Sequence, residues 1–150
     1  MEKVRLLKCG ICADASCGIC RNRIEDSDHL FFECPLSIWV WKTITGWCSI
    51  RNPKFHRQDI MLWGEDHLMQ TILKSVICKT ALWSTVYHLW QLKNSILHQG
   101  KINSEEFIIR TIKWEVKERV ESKGGFCNSL LNRALCCSWG ISSSALKCLL

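Results

Sequence analysis

CGICRNRIEDSDHLFFECP, residues 17–35, holds two ligand pairs on one short stretch. Cys17 and Cys20 are separated by two residues, His29 and Cys34 by four, and eight residues lie between the pairs. Each pair can reach one metal ion from a tight turn, and the loop between them brings the pairs together. Three sulfurs and one imidazole nitrogen complete a tetrahedron around one Zn²⁺ and leave no open position for a reacting water, which is the make-up of a structural site. A second set competes on residue type: Cys9 and Cys12 with Cys17 and Cys20, all cysteine, but with a cramped loop of four residues between the pairs. The ordinary alternative, buried thiols without metal, sits poorly with the paired spacing.

The rest of the chain reads as helical. Pro35 suits the first turn of a helix, and Leu36, Trp39 and Val40 follow at helical spacing, with Trp47 after Gly46. Residues 49–58 read as a loop around Asn52-Pro53. From about Asp66 to Gln99 no Pro or Gly intervenes. There Met69, Ile72, Leu73, Val76, Ile77, Thr80, Trp83, Val86, Tyr87 and Trp90 recur at three-four spacing and predict one apolar face. Asn103 and Glu106 fit a capping box. Ile108, Ile112, Val116 and Val120 give the next helix its buried stripe, and Gly124-Gly125 ends it. The expected fold is mainly α, a small zinc-stabilised N-terminal loop region packed on a helical bundle. It divides into residues 1–125 and a C-terminal tail, 126–150, with the makings of one more helix in Leu130, Leu131 and Leu135.

Composition bounds the function. With 150 residues, 47% hydrophobic and 23% charged, the chain suits one domain with a buried core and not a disordered segment. Eleven Cys raise the possibility of a secreted disulfide framework, but MEKVRLLKCG has no apolar signal-peptide core and no run reaches membrane-span length. An intracellular, reducing location is expected, where clustered cysteines bind metal. The starting Met runs almost directly into the cysteine cluster, which leaves little room for an upstream domain and suggests a piece of something larger. The net charge of +6 is uneven: residues 1–34 carry five Lys/Arg against six Asp/Glu, and residues 35–150 carry fifteen against eight. Any grip on RNA or single-stranded DNA is therefore expected from the helices. Arg110, Lys113 and Lys117 share one helix face and are the candidate nucleic-acid contacts, set against the plainer reading of a solvated face. No membrane partner and no small-molecule substrate is expected.

CGICRNRIEDSDHLFFECPLSIWVW closely resembles the zinc-binding domain that follows the reverse transcriptase of plant non-LTR (LINE-type) retrotransposons. The matching positions are Cys17, Cys20, Glu25, His29, Leu30, Phe31, Phe32, Cys34, Pro35 and Trp41. The preceding KVRLLKCGI resembles that family's basic lead-in, with Cys9 where the family often has Trp, which argues against Cys9 as a ligand. VYHLWQLKNSILH resembles its Tyr-x-x-Trp followed by Arg-Asn, with Lys93 in place of the Arg. The resemblance covers residues 3–121. It implies a non-catalytic accessory module of a retroelement polyprotein, beside a reverse transcriptase, helping to hold template RNA or target DNA. The family's paired aspartates for Mg²⁺ are not recognisable here, and Asp26 and Asp28 read as a solvated loop. The competing function is a zinc-stabilised interaction module that docks through Trp-rich helices. A redox role for the twin CGIC motifs lacks a surrounding βαβ pattern. Leu30, Phe31 and Phe32 are expected to pin the metal loop to the first helix through Trp39 or Trp41, with base stacking by Phe31 or Phe32 the sharper alternative.

Overall fold

The computed structural model describes residues 7–10, 14–50, 58, 72–100 and 104–147. A single π-helical turn, His29–Glu33, leads into helix α1, Pro35–Trp47, with Pro35 in the first turn where no hydrogen-bond donor is needed. Helix α2 runs unbroken over Leu73–Gln99 and stops at Gly100, whose φ of 64° is the left-handed conformation glycine adopts without penalty. Helix α3 spans Glu105–Lys123 and helix α4 Leu130–Trp139. Two-residue strands, β1 (Phe126–Cys127) and β2 (Leu146–Lys147), pair in parallel on either side of α4. Among the described residues no helix is long and apolar enough to cross a membrane. The mainly α expectation holds, with the Cys/His cluster near the N-terminus.

Helix α3 follows its sequence pattern. Ile108, Ile112, Val116 and Val120 are all buried, joined by Ile109. Its cap is shifted by one residue from the expected Asn103, which lies outside the described residues: the Ser104 hydroxyl accepts from the Phe107 N–H at 3.2 Å. The start of α2 expected near Asp66, and the loop expected over 49–58 beyond Ile50, also fall largely outside the described residues.

Helix α2 departs from the expected face. Trp83, Tyr87 and Trp90 are exposed, at 67%, 51% and 47%. Leu73 and Ile77 are buried as expected, but from there the buried stripe runs through Ala81, Thr85, Leu89 and Leu92, filled in by Ser75, Cys78, Ser84 and His88. The reason is steric. Helix α2 packs most extensively on α3, and small side chains at Ala81, Ser84 and Thr85 permit a close approach that indole rings would block. The polar ones are satisfied locally: Thr85 Oγ1 donates to the Ala81 carbonyl at 2.7 Å, and Ser84 Oγ donates to Glu115 at 2.5 Å.

The C-terminal stretch is tied into the same core. Trp139 is fully buried and stands edge-on to Trp47, with centroids 5.4 Å apart, while its indole N–H donates to the Trp47 carbonyl at 3.1 Å. Leu135 is buried as its spacing suggests, but Leu130 and Leu131 face outward.

Candidate metal centre

Two local structures build the site. In the first, Ser16 and Ile24 form an antiparallel bridge. Within that hairpin Cys17 N donates to the Arg23 carbonyl at 2.7 Å, and Arg21 N donates back to the Cys17 carbonyl at 2.9 Å. The turn closes through Arg21 at φ 57°, a left-handed conformation that a non-glycine residue adopts only at some cost. This folds Cys17 and Cys20 to one side. In the second, Asp26 accepts the His29 N–H on its carboxylate at 2.7 Å and the Leu30 N–H on its carbonyl at 3.0 Å. Asp26 therefore starts the turn, which the solvated-loop reading did not foresee.

The π turn then solves a geometric problem. Residues five apart on an α-helix point about 140° away from each other. Here Cys34 N donates to the His29 carbonyl at 2.6 Å, a closure five residues on that brings Cys34 back over His29.

The four candidate ligands meet. The ligand atoms of Cys17, Cys20, His29 and Cys34 all lie within 4.8 Å of one another, and His29 Nε2 is 3.3 Å from Cys20 Sγ. That envelope is wider than the roughly 4 Å expected for ligands drawn around Zn²⁺. Cys17 and Cys34 are fully buried and His29 nearly so. Cys9 is exposed and outside the group, and Cys12 lies outside the described residues, so the all-cysteine alternative gains nothing. The Cys34 hydrogen bond holds the Cys17 thiol well below the ordinary thiol range, while the same contact, aided by burial, pushes Cys34 up. Metal binding must displace the protons these thiols carry.

The donor chemistry fits zinc. Three soft sulfurs and one imidazole, crowded out of water, match a closed structural centre and leave no carboxylate in the set to favour a harder cation. One structural Zn²⁺ is the cofactor these residues would hold.

Around the ligands stands a supporting layer. Glu25 is buried, with one carboxylate oxygen accepting the Gly18 N–H at 3.1 Å and the other 2.9 Å from the Lys93 ammonium. Lys93 is itself only 6% exposed. The pair fastens the Cys17–Cys20 turn to the C-terminal third of α2. Sequence reading noted both residues without giving either a role.

The apolar residues between the ligands act as packing. Phe32 stacks on Trp41 at 6.1 Å, the Trp41 indole donates to the Phe31 carbonyl at 2.7 Å, and Ser37 Oγ donates to the Leu30 carbonyl at 2.5 Å. Trp41 is the anchor, Trp39 is exposed, and burial leaves Phe32 unable to stack on a base.

The remaining sequence candidates lie elsewhere. Arg110 is exposed, and Lys117 is partly buried. Lys113 sits with its ammonium 4.5 Å from the centre of the Trp47 ring. His88 is buried with Nε2 2.9 Å from Glu115. Cys48 and Cys78 are in hydrogen-bond contact inside the core.

Residues 2–41 match the family described as zinc-binding in reverse transcriptase. No curated protein and no solved structure gave a match. The matched segment contains all four ligands, Glu25 and Trp41, and ends midway along α1.

Proposed function

We propose that this chain is a non-catalytic accessory module of a LINE-type retroelement reverse transcriptase, of plant type, which helps to hold RNA or single-stranded DNA beside the polymerase. The observation that carries the reading is the convergence of Cys17, Cys20, His29 and Cys34 inside a segment that matches a reverse-transcriptase zinc-binding family. The closed donor set assigns the metal to architecture. It holds the loop, and the loop is bolted to α2 through Glu25 and Lys93.

Three thiolates with Zn²⁺ sum to a net −1, so phosphate is drawn elsewhere, to the basic surface of the helices. On α3 the exposed Arg110 and the half-exposed Lys117 are the contacts this reading uses, and Lys113 joins them by leaving the Trp47 ring.

The test is binding of fluorescent RNA and single-stranded DNA by the zinc-loaded chain over a range of salt. Affinity should fall steeply with salt, and the variant K113E/K117E should bind more weakly than R21E/R23E. Equal losses would remove the helical location. No binding even at low salt would replace this reading with a protein-interaction module.

A further inference from the structure

The exposed aromatic stripe of α2 has no part in the core or the metal centre. Trp83, Tyr87 and Trp90 follow one another at four and three residues, spanning about 10 Å of helix surface. Large exposed aromatics at this spacing mark a contact surface.

Two of the three rings are also held in place. The Tyr87 and Trp90 rings lie 29° from parallel with centroids 6.2 Å apart, and the Tyr87 ring meets His88 edge-on. The Tyr87 phenol accepts from Gln91, Gln91 Oε1 lies 3.2 Å from His88 Nδ1, and His88 Nε2 is held by the carboxylate of Glu115. The central ring is thus fixed by a chain of contacts running into α3. Prefixed rings lose little freedom on binding.

Charge selects the occupant. Leu73–Gln99 contains no Asp or Glu in 27 residues, against three Lys. Lys93 is neutralised by Glu25, and Lys74 reaches toward the Ser49 carbonyl at 3.4 Å. Lys79 is exposed one turn before Trp83, on the same side of the helix. Flat apolar rings beside a cation, along a helix without a carboxylate, suit unpaired bases with their phosphates.

We infer that Trp83, Tyr87 and Trp90, with Lys79, form a stacking platform for single-stranded nucleic acid. This rests on the nucleic-acid reading above and adds where and how the strand is held. A duplex, whose bases are already stacked on one another, gains nothing from the rings. The platform therefore selects single strands with little regard to sequence.

The experiment uses the full zinc-loaded chain with a fluorescent 20-nucleotide oligo(dT) and with a duplex of the same length. Single-stranded binding should be at least about tenfold tighter than duplex binding, and it should quench tryptophan fluorescence. W83A/W90A should lose about tenfold or more of that affinity, because each stacked base contributes about 1–3 kcal/mol. W83F/W90F should retain most of it, and K79A should lower the salt slope by about one. Because these side chains are exposed, all variants should melt as the parent does.

Parent binding with undiminished affinity in W83A/W90A would overturn the platform while leaving the proposed function standing. Equal affinity for duplex and single strand would do the same. Loss of self-association in W83A/W90A, with oligo(dT) binding intact, would reassign the stripe to a protein interface. Absence of any binding by the parent would overturn both readings.

Discussion

Lys93 places its ammonium 2.9 Å from a carboxylate that is 1% exposed, and that carboxylate also caps the turn carrying the first two ligands. An ion pair removed from water gains less than its Coulomb energy suggests, because both charges have been desolvated. Breaking it from one side is a different matter. K93M leaves Glu25 charged and unpaired in the interior and should cost about 3–5 kcal/mol. The double variant E25M/K93M should cost clearly less than K93M alone, because it buries no orphan charge. Denaturant unfolding of the four forms measures this, and additive costs would show that the two residues do not couple. At the ligands, C17S should abolish stoichiometric zinc retention after dialysis, read by metal analysis, because the tetrahedron loses a thiolate from its most buried side. Retention of one zinc by C17S would remove Cys17 from the set.

Among the elements, α3 shows how local chemistry sets a boundary. Its buried positions recur every three or four residues, and its first turn carries Glu105 and Glu106 against the positive end of the helix dipole. Ser104 accepts from the Phe107 N–H, so S104A should cost about 0.5–2 kcal/mol in thermal or chemical unfolding. An unchanged midpoint would mean that this hydroxyl does not cap the helix. In helix α4 the largest buried side chain is Trp139. W139A removes a fully buried indole and its hydrogen bond to the Trp47 carbonyl, and it should cost about 3–5 kcal/mol. If the stretch after Lys123 were a loosely attached tail, that cost would fall below about 1 kcal/mol.

Across the described residues, the metal loop and the helices pack against one another. The π turn packs on both α1 and α2, Trp41 clamps the loop from α1, and Lys93 holds it from α2. Zinc should therefore stabilise the helices as well as the loop. At about 100 times its dissociation constant a ligand adds about 2.7 kcal/mol, which for a chain of this size raises Tm by about 5–10 °C. Circular dichroism melts with zinc and with chelator should show one transition that shifts as a whole. A helical transition indifferent to chelation would separate the two parts. How much of this was legible beforehand follows from the range of the forces involved. Paired ligand spacing, the Pro35 start, the Gly100 and Gly124 stops and the α3 stripe are set by residues within a few positions of each other, and the sequence determined them by itself. The buried face of α2 was decided by its neighbours: close packing on α3 admits Ala81, Ser84 and Thr85 and excludes the tryptophans, which hydropathy alone would have turned inward. The π closure at Cys34, the burial of Lys93 against Glu25 and the seat of Trp139 on Trp47 also belong to tertiary structure. Each joins groups whose partner, or whose required angle, is fixed only when separate elements meet.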